Sequence, residues 1–152
     1  MQNNTLVIPL KHTMPSSIDN VLTAWTSNKI INGKILSSRG AHRVYQVKRI
    51  LPKWLSKLTN IDTNLLYTET IDIDKDNRLF TTQSTTVIPK INVIIDSEIK
   101  FVEDNEITIV FGKIKARNIP KYMYIMKQKI IKYLQHEFLM DRQMEQKLLP
   151  TK

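Results

Sequence analysis

Three short polar segments divide most of this chain into β-prone runs, and this pattern constrains its fold more than any other feature. The segments are residues 37–40, 74–77 and 103–106, each containing residues that readily form turns. Runs typical of strands flank them, at residues 29–36, 41–51, 64–73, 78–88, 91–102 and 107–116. Short connections join antiparallel neighbours, so the sequence predicts an antiparallel meander.

The N-terminal region predicts one further strand and a short helix. Residues 5–10 are β-prone but contain Pro9, which lacks a backbone N–H and therefore favours an edge strand. Ser16 and Asp19 have the spacing of a capping box at the start of a helix. Apolar residues then follow at helical spacing, at Ile18, Val21, Leu22 and Trp25. We expect this helix to bury one face.

The C-terminal region predicts one long helix. Asn118 is a favourable N-cap, Pro120 is tolerated in a first helical turn, and no Gly or Pro follows before Pro150. A helix of about 30 residues would be ~45 Å long, enough to span a whole sheet. Its apolar stripe is Met123, Met126, Ile130, Leu134 and Phe138.

Length and composition fit one folded domain covering residues 1–152. Hydrophobic residues make up 41% of the chain and charged residues 24%, which is ordinary for a globular protein. No apolar run approaches the ~20 residues of a membrane-spanning helix. There is no cysteine, which excludes disulfides, thiolate catalysis and cysteine-ligated metals. Residues 1–11 lack the features of a signal peptide or mitochondrial presequence, so we predict no cleavable presequence.

The net charge of +9 is unevenly distributed along the chain. Residues 1–59 hold nine Lys and Arg against one acidic residue, and residues 107–152 hold ten against three. Residues 60–106 reverse the sign, with four basic residues against ten acidic ones. This pattern argues against a uniform nucleic-acid-binding coat.

A calcium site is considered at the second polar segment and set aside. Asp72, Asp74 and Asp76 have the first three oxygen-ligand spacings of a helix-loop-helix calcium loop. The sixth position is Asn77 instead of Gly, and the twelfth is Gln83 instead of the bidentate Glu. A solvated acidic turn is the better interpretation.

Enzyme chemistry has no support in the sequence. His12, His42 and His136 are too scattered to form a recognisable metal or catalytic set, and there is no glycine-rich phosphate loop. Glu69 lies in a β-prone run, where a single acid usually pairs with a neighbouring Lys or Arg. We therefore predict a non-enzymatic protein without a metal or cofactor.

Two basic regions leave alternatives open. The lysines of the C-terminal helix either form its solvated face or, at the edge of the apolar stripe, approach an anionic head group. Arg43, Lys48 and Arg49 with Tyr45 suit an RNA surface, although no RNA-binding signature is present. Spacing alone does not decide between these interpretations.

The order of elements and several residue runs resemble the PRELI family, also called the Ups/Slowmo phospholipid-transfer proteins. The resemblance covers nearly the whole chain. The matching runs are VLTAW at 21–25, RVY at 43–45, LPKW at 51–54, YTETID at 67–72, TTQST at 81–85 and QKL at 146–148. It implies an α+β fold, in which a curved antiparallel sheet of six to seven strands wraps around the long C-terminal helix. A short N-terminal helix and a lid loop complete it.

The resemblance also implies a phospholipid cavity between the sheet and the terminal helix. The lid is the connector at residues 52–60, and its candidate residues are Pro52, Trp54, Leu55 and Leu58. The head-group candidates are Arg43, Lys48, Lys129 and Lys132, whose charge would balance an acidic head group. The cavity-lining candidates are Met123, Met126 and Ile130.

The function implied is intermembrane phospholipid transfer, with phosphatidic acid first and phosphatidylserine second. Family members act in the mitochondrial intermembrane space with a small twin-Cx9C helical partner, and they contact anionic membranes transiently. The chain departs from the family at residues 27–30 and late in the terminal helix, which puts the lipid species in question. Two alternatives remain: a basic RNA- or ribosome-associated module, and a protein-interaction subunit of the same fold without a cavity.

Overall fold

A computed structural model describes residues 4–26, 34–60 and 64–149 of the chain. Within these ranges, seven antiparallel strands form one sheet in the order β1-β7-β6-β5-β4-β3-β2. The strands are β1 (Asn4–Met14), β2 (Lys34–Arg39), β3 (His42–Ile50), β4 (Asn64–Asp74), β5 (Leu79–Ile88), β6 (Val93–Asp104) and β7 (Ile107–Ile119). The described helices are α1 (Ile18–Trp25), α2 (Lys53–Thr59), α3 (Lys121–Tyr124) and α4 (Lys127–Lys147). The predicted fold class, a curved antiparallel sheet with a long C-terminal helix, is confirmed.

The predicted hairpins form because the turn chemistry is local. Asp74 accepts hydrogen bonds from the backbone N–H and the side-chain amide of Asn77, at 3.2 and 2.8 Å. Asn105 and Glu106, between β6 and β7, both have positive φ. The β2–β3 turn is tighter than the predicted segment 37–40, because Arg39 already pairs with His42 across it. The start predicted for β2, at residue 29, lies outside the described residues.

Strand β1 lies at an edge of the sheet, as Pro9 predicts, since β7 is its only neighbour among the described strands. It is longer than the predicted segment 5–10, because β7 is long enough to pair with it from Asn4 to Met14. The thirteen residues of β7 also pair along most of β6.

Helix α1 begins one residue later than predicted. Ser17 is the N-cap, and its hydroxyl accepts from the backbone N–H of Asn20 at 3.4 Å. Ser16 instead accepts from the Asn20 side chain at 3.1 Å. The helix buries Val21 and Trp25 against the sheet, which confirms its predicted apolar face.

The prediction of one continuous C-terminal helix is wrong. Helix α3 ends at Tyr124, and the N–H of Met126 bonds to the carbonyl of Met123 at 2.8 Å before α4 starts at Lys127. This bond is one residue shorter than an α-helical bond, so it interrupts the helix without Gly or Pro. Helix α4 has 21 residues. Its length is therefore about 32 Å instead of ~45 Å.

The interior contains two apolar clusters, both covered by α4. The first, here called the α1 end, comprises Met14, Val21, Trp25, Tyr45, Val47, Ile71, Phe80, Ile99, Phe101, Val110 and Phe138. The second, here called the α2 end, comprises Leu6, Ile8, Leu51, Leu55, Ile88, Val93, Ile114, Ala116, Ile119, Met123 and Leu134. None of the described helices is long and apolar enough to cross a membrane.

Candidate ligand cavity

A cavity of about 90 Å³ lies between the inner face of the sheet and α4. It begins beside Ile99 and Phe138 of the α1 end and extends towards the α2 end. Its apolar wall is Leu51, Leu65, Ile95, Ile99, Ile114, Leu134 and Phe138. Its polar wall is Arg49, Tyr67, Glu69, Ser84, Thr86, Ser97, Tyr133, Glu137 and Asp141. We call this space the main cavity.

Arg49 organises the polar wall by tying β3 to α4. Its Nη1 donates to Glu137 Oε2 at 3.0 Å and to Asp141 Oδ1 at 3.2 Å, and its Nη2 contacts Asp141 Oδ2. Its Nε donates to the hydroxyl of Tyr67 at 2.6 Å. All three guanidinium nitrogens are therefore engaged, which fixes the orientation of Tyr67 at the cavity wall.

Glu69 is the most deeply buried acid on the polar wall, with an exposed fraction of 7%. It lies on the inner face of β4, two residues from Tyr67. Burial is the main reason that the pKa of Glu69 is raised, and Asp141 adds to the effect; Arg49 opposes it. A raised pKa favours the neutral carboxylic acid, which can donate as well as accept a hydrogen bond.

The other titratable groups of the wall respond to burial in the same direction. Burial raises the pKa of Glu137, while Arg49 opposes the shift. Burial raises the pKa of Tyr133 to about 12, and the pKa of Tyr67 is also raised. Both phenols therefore remain protonated at neutral pH and present hydroxyl groups.

A fully buried ion pair lies next to this wall, at the α1 end. Arg142 and Glu145 are 1% and 0% exposed and pair one turn apart on α4, with Nε to Oε1 at 2.7 Å. The guanidinium of Arg142 lies 5.0 and 4.9 Å from the ring centres of Phe101 and Phe138. Burial raises the pKa of Glu145 to about 7, against the opposing effect of Arg142.

A second, apolar cavity of about 30 Å³ lies beneath α2. Trp54 and Leu55 of α2 cover it, and Tyr133 and Leu134 of α4 separate it from the main cavity, whose wall they share. We call this space the α2 cavity. Ile95 of β6 lines both cavities as well.

The predicted lid residues lie on or beside α2, over the α2 cavity. Pro52 is the N-cap, Leu55 is buried, and Trp54 is half-buried. Leu58 is 42% exposed and faces away from the core. Lys129, predicted as a head-group residue, places its Nζ 5.8 Å from the centre of the Trp54 ring.

Two of the three predicted cavity-lining residues line a cavity, and the third does not. Met123 and Ile130 line the α2 cavity. Met126 lies at the start of α4, half-buried, and is not part of the wall of either cavity.

The predicted head-group residues lie outside the main cavity. Arg43 shares the inner face of β3 with Tyr45 but lies near the hairpin end, where its Nε donates to the Gly40 carbonyl at 3.4 Å. Lys48 is exposed on the opposite face of the sheet, and Lys132 is exposed on α4. Arg49 is the basic residue of the main cavity wall.

The sequence analysis considered Arg49 only for an RNA surface, it did not select Tyr67, and it assigned Glu69 a structural role. The alternation of β3 offered one signal, because Tyr45, Val47 and Arg49 share a face. Nothing local distinguishes Arg49 from Arg43 on that face. Only the position of α4 decides which arginine meets Glu137 and Asp141.

The histidines and acidic turn form no metal site. His12 bonds to Gln146 at 2.9 Å, and His42 bonds to Asp72 at 2.6 Å. Within the described ranges, no group of three or more His, Asp or Glu is placed to hold a metal ion.

The architecture matches that of several solved structures. The protein TTHA0849 from Thermus thermophilus matches with a TM-score of 0.67 at 11% identity, covering 94% of this chain and 96% of that chain. This is the helix-grip, or Bet v 1-like, fold. Truncated norcoclaurine synthase from Thalictrum flavum matches with a TM-score of 0.59 at 13% identity, covering 100% and 98%. The Zhui aromatase/cyclase from Streptomyces sp. R1128 matches with a TM-score of 0.53 at 15% identity, covering 74% and 68%.

Comparison by sequence gives no further assignment. No family model matches the chain, and no curated protein matches it significantly. Identities of this size in the structural matches show the fold alone, so the PRELI resemblance stays a prediction.

Proposed function

We propose that this protein binds one small, largely apolar molecule in the main cavity, between the sheet and α4. The observation that carries the proposal is the composition of the cavity wall. Aliphatic residues and Phe138 form one side, and the other side presents Tyr67 and the buried carboxyl of Glu69. Few polar groups in a mostly apolar cleft are the usual design of a small-molecule site, where they orient the ligand.

The volume of the main cavity limits the size of the ligand. A dry cavity of about 150 Å³ admits benzene, and the main cavity is about 90 Å³. A single ring therefore requires a small outward movement of the wall. Larger ligands require the main cavity and the α2 cavity to join past Ile95, Tyr133 and Leu134, which line both.

Isothermal titration calorimetry with 2-phenylethanol tests the proposal. Ser97 lies on the inner face of β6 at the cavity wall, so Ser97→Leu fills the space and Ser97→Ala keeps it open. We expect saturable binding to the wild-type protein and to Ser97→Ala, and at least tenfold weaker binding to Ser97→Leu. Absence of binding to the wild-type protein, or equal binding to Ser97→Leu, contradicts the proposal.

Transfer of a phospholipid is a more specific candidate function than small-molecule binding, and the position of α2 supports it. Trp54 and Leu55 cover the α2 cavity, while Leu58 presents an exposed apolar side chain next to Lys57. An amphipathic lid with a basic edge is suited to an anionic membrane surface. Acyl chains exceed both cavities, so α2 would have to move away from the core before a lipid enters.

Two measurements on the purified protein test phospholipid transfer. Native mass spectrometry with lipid extraction identifies any bound lipid, and an assay between vesicles containing phosphatidic acid measures its transfer. We expect one bound lipid per chain and slower transfer by Trp54→Ala than by Gln143→Ala, which changes an exposed side chain outside the lid. A protein without lipid that also transfers none contradicts this candidate and leaves the small-molecule proposal standing.

Acid–base catalysis is a second candidate, and Glu69 supplies its support. A buried carboxyl with a raised pKa beside a phenol hydroxyl is an arrangement that general acid–base catalysis uses. Two of the structural neighbours, norcoclaurine synthase and the Zhui aromatase/cyclase, are enzymes. Deuterium exchange at the α-carbon of phenylacetone in D₂O, followed by NMR, tests this candidate. Exchange should be accelerated by the wild-type protein and lost in Glu69→Gln.

The remaining expectations from the family resemblance are predictions. They are a single domain over residues 1–152, location in the mitochondrial intermembrane space and a twin-Cx9C helical partner. Co-expression with a tagged twin-Cx9C protein tests the partner, since a stable complex should co-purify at a one-to-one ratio.

A further inference from the structure

The polar wall of the main cavity carries more negative than positive groups. Among the described residues of this wall, Glu69, Glu137 and Asp141 supply three carboxyls, and Arg49 supplies the single guanidinium. Both α4 acids already engage that guanidinium, and Tyr67 engages its third nitrogen. An anionic ligand would therefore have to displace carboxylates from Arg49 and then lie among them.

Among the residues that the structure describes, Glu69 differs from the other two acids in forming no salt bridge, although Arg49 and Arg142 line the same small void. Across the residues that the structure describes, the ion pairs include Glu137 and Asp141 but none that involves Glu69, although Arg49, the Thr82 side chain and Arg142 oppose the rise of its pKa. More than nine-tenths of its surface is buried, and it lines the main cavity and a void of about 10 Å³ beside Arg142. An ionised carboxylate in this position lacks both water and a paired counter-ion, which is costly.

We infer that the main cavity selects a small apolar molecule carrying a protonated amine, with the ammonium group at Glu69 and the apolar body against Leu65, Ile95 and Ile114. The inference rests on the proposed small-molecule function and adds the chemical class of the ligand. A ligand ammonium supplies the paired counter-ion that the protein does not provide to Glu69. It also gains from the neighbouring carboxyls of the wall without breaking the contacts of Arg49.

The ligand is small because the cavity is small. One ring and a short chain bring an ammonium group to the polar wall while the ring remains among the aliphatic side chains. A neutral analogue of the same size keeps the apolar contacts and loses only the charge. A carboxylate analogue keeps the ring and reverses the charge.

Three ligands that share a phenyl ring and a short chain test the inference by calorimetry at pH 7.5. They are 2-phenylethylamine, 2-phenylethanol and 3-phenylpropionate. We expect the amine to bind at least tenfold more tightly than the alcohol, and the carboxylate to bind most weakly. Equal binding of all three overturns the amine inference but supports the proposed function. Tightest binding of the carboxylate also overturns it, and binding of none overturns both.

A matched pair of variants locates the preference. Glu69→Gln removes the charge and keeps the size, while Glu98→Gln makes the same change on the exposed face of β6. We expect the amine to lose its advantage over the alcohol in Glu69→Gln, to within about threefold, and to keep it in Glu98→Gln. An unchanged preference in Glu69→Gln overturns the assignment of Glu69. If that variant does not fold, the wild-type series with the three ligands still decides.

Discussion

The two ends of the interior lie under the same helix and against the same sheet, yet they are filled differently. At the α1 end, aromatic rings occupy the space: Trp25 meets Tyr45 edge-on at 5.3 Å, and Phe80 stacks on Phe101 at 4.1 Å between ring centres. At the α2 end, smaller aliphatic residues leave the α2 cavity and border the main cavity. Rings packed against one another fill the α1 end, whereas the mainly aliphatic core of the α2 end leaves unfilled space between helix and sheet.

The ionic groups follow the same division. Arg142 and Glu145 are fully enclosed by the aromatic end, whereas the side chain of Arg49 is 28% exposed at the cavity wall. A fully buried charge is stable only with a paired counter-ion, whereas a partly exposed charge is also stabilised by water. Stability should therefore depend more strongly on the α1 end, and ligand binding on the main cavity and the α2 end.

The largest loss of stability is expected from breaking the buried ion pair of Arg142 and Glu145. Glu145→Ala leaves the Arg142 guanidinium buried without a counter-ion, and we expect the free energy of unfolding to fall by about 3–5 kcal/mol. Chemical denaturation measures it. Gln143→Ala, an exposed position on the same helix, should stay within about 0.5 kcal/mol of the wild type. Equal effects at both positions would remove the distinction between the two ends.

The next largest loss of stability is expected from a substitution of Arg49. Its loss removes hydrogen bonds to two carboxylates that are partly exposed, so Arg49→Ala should lower the free energy of unfolding by about 1.5–3 kcal/mol, less than Glu145→Ala. Lys48→Ala changes the adjacent, exposed residue on the other face of β3 and should have almost no effect. The same denaturation curves compare the two variants. A larger loss from Lys48→Ala would contradict the assigned strand faces.

A smaller packing effect is expected where α4 meets β7. A Cβ at Gly112 would lie 2.7 Å from Cε2 of Phe138, so Gly112→Ala pushes α4 away from the sheet. We expect a loss of about 1–3 kcal/mol, measured by denaturation. Adding Phe138→Leu to Gly112→Ala should recover part of that loss, because it shortens the side chain in contact. If the double variant is as unstable as the sum of the single variants, the contact is not the cause.

The dependence of stability on pH is the last test, because its effect is spread over the range between the unfolded and the folded pKa of two buried acids. Burial raises the pKa of Glu69 and Glu145 in the folded protein, the latter to about 7 from an ordinary 4.5. Such groups stabilise the fold below the unfolded pKa, and this contribution is lost as the pH rises through the folded pKa. Arg142 and Arg49 oppose the shift, while Asp141 adds to it. The melting temperature should therefore fall between pH 4.5 and 7, and the fall should be shallower in Glu145→Gln.

The sequence predicted the features of the fold that depend on neighbouring residues. The turn at Asp74 and Asn77 forms through their own side chains, and Pro9 marks an edge strand because it lacks an N–H. The break before Lys127 was not predictable, because tertiary packing overrides helix propensity without leaving Gly or Pro as a signal.

The cavity was predicted only as a location between sheet and helix. Alternation along β3 places Lys48 on the face opposite Tyr45 and Val47, so its exposure was already contained in the sequence. The role of Arg49 was not, since its partners Glu137 and Asp141 are distant in sequence and meet it only when α4 docks. The volume of a cavity is the small difference between the space enclosed by the backbone and the volume that the side chains fill. The residue types alone do not determine this difference.

The most direct test of the account is methyl NMR of protein labelled at isoleucine, titrated with 2-phenylethanol. Ile95 and Ile114 line the main cavity, while Ile71 is fully buried at the α1 end and serves as the internal control. The account predicts saturable shifts of the Ile95 and Ile114 methyl signals and a constant Ile71 signal. Shifts centred on Ile71, or no saturable shift at Ile95 and Ile114, would contradict it.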